Sequence, residues 1–194
     1  MRILMGLCMA MLTAGAVSAE GMFETLQANC GKAFAGQVSR GAEDDPWRAA
    51  TLVMHVRDCS DTEIRVPLAF NEDQSRIWVI TRTGSGLRLK HDHRHADGSD
   101  DAVTWYGGMS VAPDGAAGDW EVNFPVDAES IALFEREGLS ASLENTWQMS
   151  VAGGMFNYRL MRPGGRDFMV SFDLTSPIAP PPPAWDKAGE GVGH

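Results

Sequence analysis

Three histidines alternate along one short stretch of the chain, and their spacing is its strongest chemical signal. His91, His93 and His95 occupy every second position, and side chains two residues apart point to the same face of a β-strand. Imidazole nitrogens bind zinc and copper at about 2.0–2.1 Å, and they exchange protons near neutral pH. This histidine series therefore suits a metal site, a haem ligand or proton chemistry.

The spacing limits how the histidine series could share a metal ion. Adjacent members are ~6.6 Å apart on a rise of ~3.3 Å per residue, which allows two of them to bind one ion. His91 and His95 are about 13 Å apart on the same rise, too far for all three to bind together. A site needs His91/His93 or His93/His95 plus a ligand from a neighbouring strand, and we assign the metal candidates to His91 and His93.

The two faces of this stretch differ in polarity. Leu87 and Leu89 precede the histidines on their own face, so we expect the imidazoles to point inward, at the mouth of a barrel. The other face is charged, and we expect it to lie in water. Its members are Arg88, Lys90, Asp92 and Arg94.

A polar hairpin end without a metal is the interpretation that we favour. The imidazoles would hydrogen-bond across to Thr104 or Tyr106, and the nearby aromatic residues would help to line a cavity. The candidate ligand-binding residues are His91, His93, His95, Trp105 and Tyr106. Serine-hydrolase and phosphate-loop glycine motifs do not occur in the chain, so no catalytic residue is assigned. We expect a binding protein without a cofactor; zinc, copper or haem is the alternative.

Apolar and polar side chains alternate with a period of two along much of the chain, and this pattern predicts the strands that must position the candidate residues. The predicted strands are 51–57, 63–70, 76–82, 87–95, 103–106, 120–124, 143–151, 156–160 and 168–174. A short helix is predicted at 22–29, and a second, capped by Asp127 and ended by Gly138, precedes the last three strands. An antiparallel meander of about nine or ten strands loses its exposed edges by closing. We predict an all-β, calycin-like antiparallel barrel; a two-sheet β-sandwich is the alternative, because Pro67 implies a free edge or a bulge.

The two ends of the chain are predicted to lie outside this single domain, which covers 20–175. Residues 1–19 carry one charge, an uncharged apolar run and small residues before the expected cleavage site, as in a secretory signal peptide. Residues 176–194, rich in Pro and Gly, are predicted to be a disordered tail. Cys30 and Cys59 should form a disulfide in an oxidising compartment. We therefore expect a periplasmic or secreted protein.

The charge balance excludes some partners. The chain has 26 acidic and 16 basic residues, for a net charge of −10, whereas nucleic-acid binding requires a basic face. After the signal, no apolar run reaches the ~18 residues of a membrane-spanning helix. We expect a small-molecule ligand, no nucleic acid and no membrane span, and the oligomeric state is left open.

Two adjacent motifs resemble a group of exported bacterial proteins of unknown function. They are RLKHDHRH at 88–95, followed by Asp97-Gly98, and TWYGG at 104–108. The resemblance runs from Cys30 to about Leu174 and implies no particular activity. The strand order also resembles calycin-type barrels, lipocalin-like or nitrobindin-like. We expect an exported, non-enzymatic protein that holds a small apolar or amphipathic ligand in its barrel; the alternative is a metal- or haem-binding protein, with or without enzymatic activity, built on the histidine series.

Overall fold

A computed structural model describes residues 14–111 and 120–186, and over these ranges the chain forms two helices and eleven strands. The helices are α1 (Ala14–Gln27) and α2 (Ala128–Arg136). The strands are β1 (Ala33–Arg40), β2 (Leu52–His55), β3 (Asp58–Cys59), β4 (Glu63–Phe70), β5 (Asp73–Thr83), β6 (Gly86–His93), β7 (Tyr106–Met109), β8 (Trp120–Pro125), β9 (Thr146–Ala152), β10 (Met155–Met161) and β11 (Asp167–Asp173). In this part of the chain, no helix is both long and apolar enough to cross a membrane.

Ten of the described strands follow one another around an antiparallel barrel, and β3 pairs alongside β4. The first and last strands, β1 and β11, pair with each other. A narrow seam remains between β7 and β8, where Val111 N donates to Asn123 O at 2.8 Å and Asp127 N donates to Gly107 O at 2.9 Å. The predicted antiparallel barrel is confirmed, and the two-sheet sandwich is not the observed arrangement.

The strand predictions need correction in several places, since β3 was not predicted and the strand predicted at 143–151 begins at Thr146. Strand β1 was not predicted, because its inward face includes Gly36, whose missing side chain leaves room for the Phe172 ring. The strand predicted at 103–106 instead begins at Tyr106. Trp105, just before it, has a φ of 57°, a left-handed conformation that interrupts an extended strand.

Pro67 lies in β4 at the point where the neighbouring strand changes. Leu68 pairs with β2, whereas Arg65 pairs with β3. A missing N–H at Pro67 therefore falls between the two paired segments. The register against β5 shifts between Leu68 and Phe70, whereas Pro67 itself pairs with Ile77 in regular register.

Helix α1 closes one end of the barrel. Met22, Phe23 and Leu26 are fully buried in the main core. Just after the helix, Cys30 forms the predicted disulfide with Cys59. The helix begins earlier than the predicted 22–29. It includes the second part of the predicted signal peptide, whose first 13 residues lie outside the described part of the chain.

Helix α2 lies against the barrel seam. The Asp127 carboxylate accepts a hydrogen bond from Ser130 N at 2.9 Å, which is the predicted N-cap. Leu133 and Phe134 are buried, and Lys90 Nζ of β6 reaches Asp127 Oδ2 at 2.7 Å. The predicted helix before the last three strands is confirmed, and an ion pair fastens it to the strand that carries the histidine series.

Residues 176–186 lie on the outer surface of the barrel, although they were predicted to belong to a disordered tail. Ile178 N donates to β1 at 2.8 Å, and Ala184 is buried against β5. The Asp186 carboxylate accepts two hydrogen bonds of 2.7 Å from the Arg57 guanidinium. These contacts offset the entropic cost of ordering a Pro-rich segment, a cost that led us to predict disorder from the composition alone. The rest of the predicted tail lies outside the described residues.

Glycines at the seam allow the backbone segments to approach closely. A Cβ at Gly108 would lie 1.8 Å from Pro125 O, and a Cβ at Gly107 would lie 1.9 Å from Leu89 O. Both obstacles are backbone atoms, which cannot move aside without disturbing the strand pairs on either side of the seam.

We expect Gly108→Ala to lower the free energy of unfolding by about 1–3 kcal/mol or more, as overpacking does. Urea unfolding followed by circular dichroism measures this change. The matched control is Gly84→Ala in the β5–β6 hairpin, where an added Cβ would meet no atom within 4 Å. Equal stability of the Gly108→Ala variant and the unsubstituted protein would contradict the described seam.

Candidate functional site

A cavity of about 280 Å³ opens into the barrel at the end away from α1. Arg82, near one end of β5, contacts α1 residues, whereas Arg76, near its other end, lines the cavity together with His93 of β6. The volume lies just below the ~300–1,000 Å³ of common ligand pockets. The apolar and aromatic wall includes Trp78, Phe134, Trp147, Tyr158, Leu160 and Phe168. The site therefore fits a small molecule with an apolar body.

His91 lies at the inner side of this cavity, and both of its ring nitrogens have partners. Nδ1 is 3.1 Å from Tyr106 O, and Nε2 is 2.7 Å from Tyr158 Oη. Because a carbonyl oxygen can only accept, Nδ1 carries the proton, and Nε2 accepts from the Tyr158 hydroxyl. The ring also stacks on Tyr106 with centroids 4.7 Å apart. The imidazole is thus held in one orientation and one tautomer.

His93 lies nearer the mouth of the cavity and is half-buried. Its Nε2 is 3.0 Å from Tyr106 Oη, and its backbone N–H donates to Thr104 Oγ1 at 2.7 Å. The imidazoles of His91 and His93 contact Tyr106, one of the two predicted partners, whereas Thr104 meets the backbone of His93 and not its ring. His91 and His93 share Tyr106, which links the two imidazoles into one network.

Two of the five candidate residues lie away from the cavity. His95 follows β6 and is exposed, because the regular strand ends at His93. Trp105 packs on the outer face of the barrel with Ala184, and the Arg65 guanidinium lies 5.8 Å from its ring centroid. The left-handed conformation of Trp105 accompanies this placement. His91, His93 and Tyr106 are the candidates that the structure brings together.

The charged face of β6 does not lie in water as predicted. Asp92 has 0% and Lys90 has 6% of its surface exposed. Lys90 is covered by α2, where it pairs with Asp127 and Glu129. Asp92 accepts from Arg94 Nε at 2.7 Å. Charged residues can be buried when they are paired, so polarity alone misjudged this face.

Burial holds both cavity histidines in the neutral form. Desolvation, with a smaller contribution from His93, lowers the pKa of His91 to about 3. Desolvation and the nearby Arg76 guanidinium lower the pKa of His93 to about 4. Burial also raises the pKa of the Tyr106 and Tyr158 hydroxyls. The inner network is therefore uncharged at neutral pH.

Most residues that line the cavity were not candidates in the sequence analysis. Among them are Arg76, Tyr158, Arg162 and Arg166. The last two flank the hairpin turn between β10 and β11. The sequence offered one signal, because Arg159, Arg162 and Arg166 form a short basic stretch without an acidic residue in a chain of net charge −10. The position of Arg162 and Arg166 at the barrel mouth, however, follows from the fold.

The described residues offer little to a metal ion. Among them, no group of three or more His, Cys, Asp or Glu side chains is placed to hold one. The His91/His93 pair would have to release the Tyr158 and Tyr106 hydroxyls before both Nε2 atoms could coordinate an ion. Compared with protein-family models, with curated proteins and with solved structures, the chain gives no match.

The neutral histidines predict a pH-dependent stability. In the unfolded chain, histidine titrates near pH 6.5, whereas His91 and His93 titrate at about 3 and about 4 in the fold. Between these values the unfolded state binds more protons. The contribution of each neutral histidine to the free energy of unfolding is therefore complete above about pH 6.5. It falls by about 1.4 kcal/mol per pH unit as the pH decreases, until the pKa of the folded state is reached.

Urea unfolding at several values from about pH 7.5 to about pH 4.5 tests this linkage. We expect His91→Gln to flatten the dependence by roughly one histidine's share, because glutamine does not titrate. The control is His95→Gln on the same segment, which removes an exposed imidazole and should leave the slope unchanged. Identical slopes for His91→Gln and the unsubstituted protein would rule out His91 as a buried neutral base.

Zinc titration by calorimetry tests the metal alternative. We expect weak uptake that is equal in the unsubstituted protein and in His93→Ala, because Nε2 of each imidazole is already hydrogen-bonded to a tyrosine hydroxyl. Uptake of about one equivalent that His93→Ala abolishes and that weakens below about pH 6 would instead support a metal site.

Proposed function

We propose that the protein is a non-enzymatic binding protein that holds a small amphipathic ligand in its barrel cavity, and that it acts after export from the cytoplasm. The cavity is the observation that carries the proposal: one end of the barrel is filled by α1, and the other encloses about 280 Å³ behind an aromatic wall. The Cys30–Cys59 disulfide supports an oxidising compartment.

The inner polar network favours binding over catalysis. A general base works best when its pKa lies near the working pH, whereas His91 and His93 have pKa values of about 3 and about 4. The hydroxyls of Tyr106 and Tyr158 are engaged with these imidazoles. Groups that satisfy one another form a fixed polar floor against which a ligand can be oriented.

A metal or haem function on the histidine series finds less support. His95 is exposed and lies beyond the strand, so the series does not share one site. Coordination through Nε2 of His91 would break its 2.7 Å hydrogen bond to Tyr158, leaving a buried hydroxyl without its partner at a cost of roughly 1–3 kcal/mol. The geometry is better suited to an organic ligand.

Blocking the cavity should abolish binding. We expect a naphthalene-sized probe, 2-naphthoate or 2-naphthamide, to bind the protein in calorimetry, and Leu160→Trp to weaken that binding at least tenfold by filling the cavity. The matched control is Met161→Trp, because successive residues of β10 point to opposite faces and Met161 is not a cavity residue. The proposal fails if neither probe binds, or if both variants bind as the unsubstituted protein does.

A further inference from the structure

Arg162 differs from the other two arginines that line the cavity. Arg76 pairs with Asp73 at 2.6 Å, and Arg166 pairs with Asp45 at 3.0 Å. Among the described residues, no carboxylate lies within ion-pair distance of Arg162. The mouth of the cavity therefore contains one guanidinium whose charge is not neutralised by a contact.

Neutral groups hold this guanidinium in place. Arg162 Nε donates to Asn145 Oδ1 at 2.5 Å, and Nη2 donates to Ser142 Oγ at 3.2 Å. Asn145 is itself buried, with 4% of its surface exposed. The hydrogen bonds fix the side chain but contribute no negative charge, and burial together with Arg166 lowers the pKa of Arg162. An arginine nevertheless stays charged in a protein, so the site holds a positioned cation.

The strand that leads to Arg162 sets the depth of the site. Tyr158, Leu160 and Arg162 alternate at the end of β10 and all line the cavity. Their positions are ~6.6 Å apart along an extended chain. Tyr158 lies at the inner network with His91, Leu160 follows, and Arg162 lies at the mouth. A ligand along this line meets a polar floor, an apolar wall and then a positive charge.

We infer that the ligand is a small carboxylate whose charged head binds the Arg162 guanidinium at the mouth while its apolar body lies over Leu160 and Trp147. This assignment rests on the proposed binding function and specifies the chemical class of its ligand. A guanidinium binds carboxylates and phosphates through paired N–H donors. One unpaired arginine matches the single charge of a carboxylate better than the ≈ −1.5 to −2 charge of a phosphate monoester.

Calorimetry with the full chain and three matched probes tests the inference. We expect 2-naphthoate to bind at least tenfold more tightly than the neutral 2-naphthamide, and more tightly than 2-naphthyl phosphate. The preference for the carboxylate should weaken as salt is raised. It should disappear in Arg162→Gln, which keeps a polar side chain but removes the charge.

Two further variants make the test specific. Arg136→Gln changes the net charge by the same amount on α2, where the arginine side chain is 65% exposed and pairs with Glu137, and should retain the full preference. Arg162→Lys keeps the charge but loses the planar fork, and should retain a reduced preference. It also covers the case in which Arg162→Gln does not fold, which unfolding midpoints would reveal.

The outcomes separate this inference from the proposed function. Equal binding of 2-naphthoate and 2-naphthamide would overturn the carboxylate assignment and leave the binding function intact. Tighter binding of 2-naphthyl phosphate would overturn the choice of carboxylate. An undiminished preference for 2-naphthoate in Arg162→Gln would show that a residue other than Arg162 recognises the charge. Absence of binding by every probe would instead remove the proposed function itself.

Discussion

The hydrogen bond between His91 and Tyr158 spans the interior of the barrel, and the arrangement of the cavity depends on it. It joins β6 to β10, which are far apart in the order of strands. The carbonyl of Tyr106 on β7 can only accept, so it places the ring proton on Nδ1 and leaves Nε2 to accept from the Tyr158 hydroxyl. One ring thus links three strands and forms the floor on which a ligand would rest.

The burial that makes this floor rigid also determines its chemistry. Desolvation keeps His91 and His93 uncharged and raises the pKa of the tyrosine hydroxyls, so the polar groups act as fixed dipoles at neutral pH. The charged groups that border the cavity are the paired Arg76 and Arg166, the Asp101 carboxylate and Arg162, and Arg162 is the arginine without a carboxylate partner. A neutral, hydrogen-bonding interior with this guanidinium at its edge is suited to orienting an amphipathic molecule.

The outside of the barrel is stabilised by ion pairs that lie under other elements. Lys90 contacts Asp127 beneath α2, and Asp186 from the C-terminal segment reaches Arg57 and Arg65. Buried charges are expensive unless their partners are well placed, so these contacts specify where α2 and residues 176–186 must lie. The elements that cover the sheet are therefore matched to it by charge as well as by apolar contact.

The barrel, the Asp127-capped helix, the disulfide partners and the inward direction of His91 could all be predicted from the sequence, because each depends on local periodicity, capping or residue count. The burial of Asp92, the outward position of Trp105 and the order of residues 176–186 could not. Each depends on what packs against a segment from a distant part of the chain. Arg162 belongs to the same group. The sequence by itself determined the strand at 156–160 that precedes Arg162. Only the tertiary structure decided that Arg162 borders a cavity without a carboxylate partner, because charge neutralisation depends on distances that alternation along a strand does not set.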